Sequence, residues 1–359
     1  MTHDTRIAAG VIEGFFGRCW TWQNRRELAS FLKSRRLSFY LYAPKADKHL
    51  RSQWRAPHSS RDWQQLHLTR EAYRAAGVDF GVGLSPLDLC SHAGVADTAA
   101  LDKKLEQLNT LNLDYLALLF DDMRGDMPQL AERQSALANR AADTSNARRI
   151  ILCPTYYSTD PILEKVFGTA PPNYLEDIGA GLDAAIDIFW TGPKVCSDSY
   201  PQQHLREITE RLGRKPFLWD NYPVNDGAVR SKHLYLEAPG ADRADAAPLV
   251  SGIAANPMNQ FFASLPALAS LGRAVSDEHY EQDTATRETL FSLYPDELAN
   301  HLIDDIPNLQ TLGLDGLSEQ QKQLLIERYS SQQHSSPITK EICEWLQGGY
   351  KFDPNCLTE

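Results

Sequence analysis

No run of apolar residues in this 359-residue chain approaches the roughly 18 needed to cross a bilayer. The opening residues, Met1-Thr2-His3-Asp4-Thr5-Arg6, lack the apolar stretch of a secretory signal, so a cytoplasmic location with no membrane partner is expected. Positive charge is scarce. The 36 Lys and Arg stand against 47 Asp and Glu, a net charge of −11. Such a surface repels phosphate backbones, and nucleic acid is not an expected partner. The six cysteines contain no CxxC pair, and a chain of this size needs no disulfide staples, so reduced thiols are expected. The ten histidines include no HExxH and no close cluster with cysteine, which argues against structural zinc. No repeat at solenoid period occurs.

What is present suits a large folded core: 42% of residues are apolar and 23% charged. Short β-rich runs alternate with longer amphipathic stretches. The pattern predicts strands over 6–12, 37–42, 79–84, 115–120, 149–153, 185–190, 216–219 and 250–254. Helices are predicted over 22–34, 61–76, 98–111, 127–144, 201–212 and 259–271. Strands alternating with helices imply βα units and a parallel sheet. Eight such units within about 270 residues point to a closed (β/α)8 TIM barrel. Runs such as Leu116-Ala117-Leu118-Leu119-Phe120 are apolar at successive positions, as strands buried on both faces should be. Past about residue 275 the grammar changes. Helices are expected over 277–292, 295–304, 318–329 and 339–346, with a polar linker at 330–337. The chain is therefore divided into a catalytic barrel, 1–275, and an α-helical C-terminal extension, 276–359. The extension either packs on the barrel or forms a homodimer.

Active sites of such barrels lie at the C-terminal ends of the strands. The residues there are Glu13-Gly14-Phe15-Phe16-Gly17, Ala43-Pro44-Lys45-Ala46-Asp47, Ser85-Pro86-Leu87-Asp88, Asp121-Asp122, Pro154-Thr155-Tyr156-Tyr157, Trp190-Thr191-Gly192-Pro193-Lys194, Trp219 through Asp226, and Asn256-Pro257. Aromatic rings, amides and acids gathered on one rim are what a saccharide pocket needs. The sharpest feature is Asp121-Asp122. Adjacent acids after a buried strand resist joint ionisation, so one can stay protonated while the other is charged. Neighbours on a regular strand point to opposite faces, so both can face a pocket only if the strand ends or kinks there. Two rival readings fit the same residues: one Asp caps the next helix or pairs with Arg124, or the two hold a magnesium ion. Elsewhere, Gly14 and Gly17 serve a tight turn or let a ligand approach the backbone. Lys45 is a ligand donor or a solvated lysine. Trp219 and Tyr157 are pocket or core aromatics. Asn221, Asp226 and Asn256 are ligand-binding or turn residues.

Taken together these motifs resemble family 84 of the glycoside hydrolases, the O-GlcNAcase and β-N-acetylglucosaminidase enzymes. The likeness runs through Gly10-Val11-Ile12-Glu13-Gly14-Phe15-Phe16-Gly17-Arg18-Cys19-Trp20, Tyr40-Leu41-Tyr42-Ala43-Pro44-Lys45-Ala46-Asp47, Leu119-Phe120-Asp121-Asp122, Cys153-Pro154-Thr155-Tyr156-Tyr157, Phe189-Trp190-Thr191-Gly192-Pro193, Trp219-Asp220-Asn221-Tyr222-Pro223-Val224-Asn225-Asp226 and Asn256-Pro257. It touches every strand end but the third. Phe16 and Tyr156 depart from it, standing where many relatives carry tyrosine and an acid.

The resemblance implies a retaining exo-β-N-acetylglucosaminidase in which the substrate's acetamido oxygen, not an enzyme carboxylate, attacks the anomeric carbon through an oxazoline intermediate. By that resemblance Asp121 steadies the acetamido N–H and the forming oxazolinium, and Asp122 is general acid and then general base. Tyr157 aims the acetamido oxygen, Trp219 walls its pocket, and Asn221 holds the acetamido end or the leaving oxygen. Asp226 binds O4 and O6, while the Gly14 carbonyl, Lys45 and Asn256 bind the O3–O6 side. No metal and no cofactor are implied. The partner expected is a GlcNAc-bearing glycoconjugate or an O-GlcNAc-protein. Alternatives are a GlcNAc-binding protein without catalysis and an endo-acting, hyaluronidase-type hydrolase. The absence of appended carbohydrate-binding or acetyltransferase-like modules fits a small intracellular enzyme.

Overall fold

In the computed structural model, which describes residues 7–91, 95–277, 279–331 and 336–358, the apolar runs become eight parallel strands. They are β1 (Ala8–Glu13), β2 (Phe39–Tyr42), β3 (Asp79–Leu84), β4 (Tyr115–Leu119), β5 (Arg149–Cys153), β6 (Asp187–Trp190), β7 (Phe217–Asp220) and β8 (Gly252–Ala255). Each pairs with the next, and β8 returns to β1 to close the barrel. The expected (β/α)8 architecture is thus present, with strand limits displaced by a residue or two. The predicted start at Arg6 lies outside the described residues. Every residue of β4 is buried, because helices cover one face and the barrel interior the other.

The interior is packed with rings. Phe39 meets Tyr115 at 5.0 Å and Phe217 at 5.8 Å between centroids, and Phe189 contacts Phe217 at 5.3 Å and Trp219 at 5.2 Å. Small residues on neighbouring strands make room. A Cβ on Gly252 would lie 2.4 Å from the Phe217 ring. This aromatic column rises from the bottom of the barrel to Trp219 at the rim.

Helices at Trp22–Ser34, Ser60–Ala76, Val95–Asn109, Leu130–Thr144, Gln202–Leu212 and Phe261–Ala274 fall where periodicity places them. Three shorter ones were not foreseen: Ile162–Phe167 and Tyr174–Gly181 after β5, and Asp242–Ala246 after β7. Their length gives too few turns for a periodic signal. Beyond the barrel come Gln282–Leu293, Asp296–Ile306, Glu319–Ser330 and Pro337–Leu346. Residues 332–335 of the expected linker lie outside the described residues. Leu298, Leu302, Tyr329, Ile342 and Trp345 share one apolar cluster with Leu234, Leu236 and Met258 of the barrel loops and Ala263 of the helix Phe261–Ala274. Trp345 Nε1 also donates to the Ser231 carbonyl at 3.0 Å. No helix among the described residues is long and apolar enough to cross a membrane.

A half-buried carboxylate joins the two parts. Glu341 accepts the Ala263 N–H at 2.9 Å, capping the start of Phe261–Ala274. Burial pushes its carboxyl up to about 7, opposed by the backbone N–H groups of residues 261–263 and by Arg18. The folded state therefore holds this proton more tightly than the unfolded chain. Its stabilising effect is complete below the ordinary carboxylate range and is lost as pH rises through about 7. Glu341→Gln should flatten the pH dependence of stability between pH 5 and 8 by about 3 kcal/mol at most. Chemical denaturation at the two pH values checks this, and parallel curves for both proteins would contradict it.

Candidate active site

The acid pair follows β4. Regular strand geometry stops at Leu119, although the Phe120 N–H still reaches the Cys153 carbonyl at 2.9 Å. Asp122 then adopts φ 57°, a left-handed backbone uncommon for a residue with a Cβ. That bend brings both carboxylates to one cavity instead of opposite faces of a sheet. Each side chain is at least nine-tenths buried, with 7% of Asp121 and 10% of Asp122 exposed. The Lys45 ammonium, itself buried, forms an ion pair with Asp121 Oδ2 and lies 3.9 Å from Asp122 Oδ2. Asp121 Oδ1 is buried with no hydrogen-bond partner. Tyr157 donates its hydroxyl to Asp122 Oδ1 at 3.2 Å.

These surroundings separate the two acids. Burial pushes the Asp122 carboxyl above the ordinary range, and the negative charge of Asp121 pushes it further. Lys45, Arg51 and the Tyr157 hydroxyl hold the rise back. One acid is thus ion-paired and the other inclined to keep its proton, which is the division that acid–base chemistry needs. The rival readings fit the geometry less well. Arg124 bonds Asp126 instead of either acid. The next helix begins after Gln129 without a side-chain cap. Lys45 already supplies the cation on Asp121, and among the described residues no three His, Cys, Asp or Glu converge as metal ligands do.

Opposite the acids stands a wall tied together by hydrogen bonds. Trp219 Nε1 and Asn256 Nδ2 both donate to Asn221 Oδ1, at 2.9 and 3.0 Å. Asn221 Nδ2 donates to the Val195 carbonyl at 2.7 Å, and the Gly14 N–H donates to Asn256 Oδ1 at 3.1 Å. Asp226 Oδ2 accepts the Phe16 N–H at 2.7 Å. Buried ion pairs anchor the strand ends beneath. Arg25 grips Glu13 with two bonds of 2.6 and 2.8 Å, just before Gly14. Arg243 grips Asp220 with two of 3.0 Å, between Trp219 and Asn221, and Tyr200 adds a third at 2.9 Å. Charge-assisted paired bonds of this kind fix orientation as well as position.

Gly14, Lys45, Asp121, Asp122, Tyr157, Trp219, Asn221, Asp226 and Asn256, the residues singled out from the sequence, all line this one cavity. The third strand end does not. Leu87 and Asp88 border a separate cavity behind Asp122 and Arg124. Sequence reasoning missed Val195, Cys196, Gly227 and Arg230 in the loops after β6 and β7, and two residues near the C-terminus. Cys356 and Thr358 reach the cavity from the far end of the chain, and the Thr358 hydroxyl lies 3.5 Å from the Tyr157 hydroxyl, which it can donate to. With them in place the cavity volume is about 50 Å³. No periodicity or motif marks 353–358, so nothing in the sequence could have placed it there.

Comparison with known proteins places the chain among relatives of one family. Residues 9–304 match the family model described as beta-N-acetylglucosaminidase. The protein O-GlcNAcases of Rattus norvegicus and Mus musculus are each 31% identical over 276 residues, covering 74% of this chain. The chain spans only 30% of the length of those two relatives. A mutant O-GlcNAc hydrolase from Thermobaculum terrenum superposes with a TM-score of 0.77 at 26% identity, covering 96% of this chain and 76% of that one.

The wall has no slack at Gly14. A Cβ there would sit 2.3 Å from Trp219 Cζ2. Gly14→Ala should displace the indole and destabilise the protein by about 1–3 kcal/mol. Denaturation curves and tryptophan emission check this. An unchanged melting point with unchanged emission would contradict the packing described.

Proposed function

Since the chain belongs to the β-N-acetylglucosaminidase family, we propose that it removes terminal β-linked N-acetylglucosamine, with retention, using the sugar's own acetamido oxygen as nucleophile. The observation that carries this reading is the lone Asp121 Oδ1, a buried acceptor without a partner beside an acid inclined to stay protonated. An unmet buried acceptor costs about 1–3 kcal/mol, which an acetamido N–H placed there offsets. Accepting that N–H steadies positive charge as the carbonyl oxygen bonds to the anomeric carbon. In the same step the bond to the leaving oxygen breaks and Asp122 gives that oxygen its proton. Asp122, now a carboxylate, takes a proton from water as the water opens the oxazolinium and restores its own acid form. Holding the nucleophile within the substrate is worth about 7–11 kcal/mol of barrier.

The wall divides the recognition. Trp219 packs on the acetyl methyl, and Asn221, already bonded to it, keeps the indole in place and faces the acetamido side. Tyr157 turns its hydroxyl from Asp122 and Thr358 to the acetamido oxygen. Asp226, Lys45, Asn256 and the Gly14 carbonyl receive the O3–O6 side. A site that bonds each hydroxyl rejects sugars lacking one. The substrate class is an O-GlcNAc-protein or a smaller GlcNAc conjugate, met in the cytoplasm.

Two variants on aryl β-N-acetylglucosaminides test the division of labour. Asp122→Ala should lose about 10²–10⁴-fold in kcat/KM on basic leaving groups and far less on acidic ones. Asp121→Ala should lose rate on all of them. Equal losses for Asp122→Ala across the series, or activity abolished by EDTA, would overturn the assignment. The tail gives a second expectation. Thr358 sits against the Tyr157 hydroxyl, and Cys356 lines the same cavity, so the tail fills space on the acetamido side. Truncation before Asp353 should therefore lower KM several-fold, and a raised KM would show that the segment is part of the binding wall.

A further inference from the structure

We propose that Arg51 is a positioning residue for Asp122, bracing the bent peptide that turns this acid into the cavity and adding a second positive charge beside it. The inference rests on the reading of Asp122 as proton donor. Arg51 follows Lys45 by six positions in the loop after β2. One loop therefore delivers both cations to the pair, each in a different way. Lys45 meets the carboxylate of Asp121, whereas Arg51 Nη2 donates to the backbone carbonyl of Asp122 at 3.3 Å.

That contact falls on the residue with φ 57°. A side chain in left-handed backbone persists when its surroundings hold it. The loop is built to do so. Asp47 accepts the His49 N–H and the Tyr42 hydroxyl, both at 2.9 Å. Leu50 and Trp54 are buried, the Leu50 carbonyl accepts the Ser85 N–H at 2.8 Å, and Trp54 Nε1 donates to the Leu87 carbonyl at 3.2 Å. The guanidinium carbon lies 5.5 Å from the centre of the Phe16 ring. Its Nη1 is buried with no partner, an unfavourable arrangement for a residue whose task was only to pack.

The charges around Asp122 come from several loops. Asp121 adjoins it, Lys45 and Arg51 arrive after β2, the Tyr157 hydroxyl after β5, and Asp88 and Arg124 border the second cavity behind. Without Arg51 the negative charge of Asp121 is less opposed, so Asp122 keeps its proton to higher pH.

The test measures Arg51→Met and Arg51→Lys, with Asp122→Ala alongside, on aryl glycosides of graded leaving-group acidity and across pH. Arg51→Met should lose about 10–100-fold in kcat on the most basic leaving group and under about 3-fold on the most acidic. The basic limb of its pH–rate profile should rise by about half a unit or more. Arg51→Lys, which keeps the charge but not the planar fork, should leave the limb near its wild-type position and recover part of the rate. Equal losses on every leaving group with an unmoved limb would reduce Arg51 to a structural residue and overturn the inference. If Asp122→Ala itself showed no leaving-group dependence, the reading of Asp122 would fall and this inference with it. If Arg51→Met does not fold, Arg51→Gln carries the same comparison.

Discussion

Everything at this site follows from placing two carboxylates side by side where water cannot screen them. Like charges at that spacing in a buried setting cannot both persist unless cations are supplied. The protein pairs Lys45 with the first acid, while burial raises the second and Lys45 and Arg51 only hold that rise back. The result is an ordered pair, one member salt-bridged and the other raised, made from chemically identical side chains. The left-handed turn at Asp122 is the backbone condition for it, since a continued strand would separate the two onto opposite faces.

The barrel makes such an arrangement sustainable. Its interior is filled by interlocking rings, and the strand ends beside the cavity are pinned by Glu13–Arg25 and Asp220–Arg243. Removing one member of such a buried pair is costly because the other is left unpaired. Rigidity at those points lets Trp219, Asn221, Asn256 and Gly14 act as one hydrogen-bonded wall. The C-terminal helices extend the same logic through Glu341, which ties their packing to the start of the last barrel helix.

How much of this the sequence revealed depended on range. Strands and long helices were legible because burial on both faces, or on one stripe, writes itself into residue order. The rim residues were legible because a barrel puts every strand end on one side, so motifs hundreds of positions apart needed no further geometry to be brought together. The short helices after β5 and β7 were not, having too few turns to show a period. Nor was the bend at Asp122: aspartate tolerates left-handed backbone, but nothing next to it announces one. No motif marks Arg51, and only the fold sets it on a carbonyl 71 positions away. Thr358 belongs to the same class, a contact between positions 201 apart that only closure of the whole chain creates.

The claim that the sugar's amide is the nucleophile can be tested directly by altering that amide alone. Successive fluorination of the N-acetyl methyl group of an aryl β-N-acetylglucosaminide withdraws electrons from the carbonyl oxygen while leaving the leaving group and ring unchanged. The account predicts that kcat/KM falls steeply, by orders of magnitude from acetyl to trifluoroacetyl, at constant pH. A flat response would mean that another atom attacks the anomeric carbon, and the roles given to Asp121 and Tyr157 would have to be abandoned.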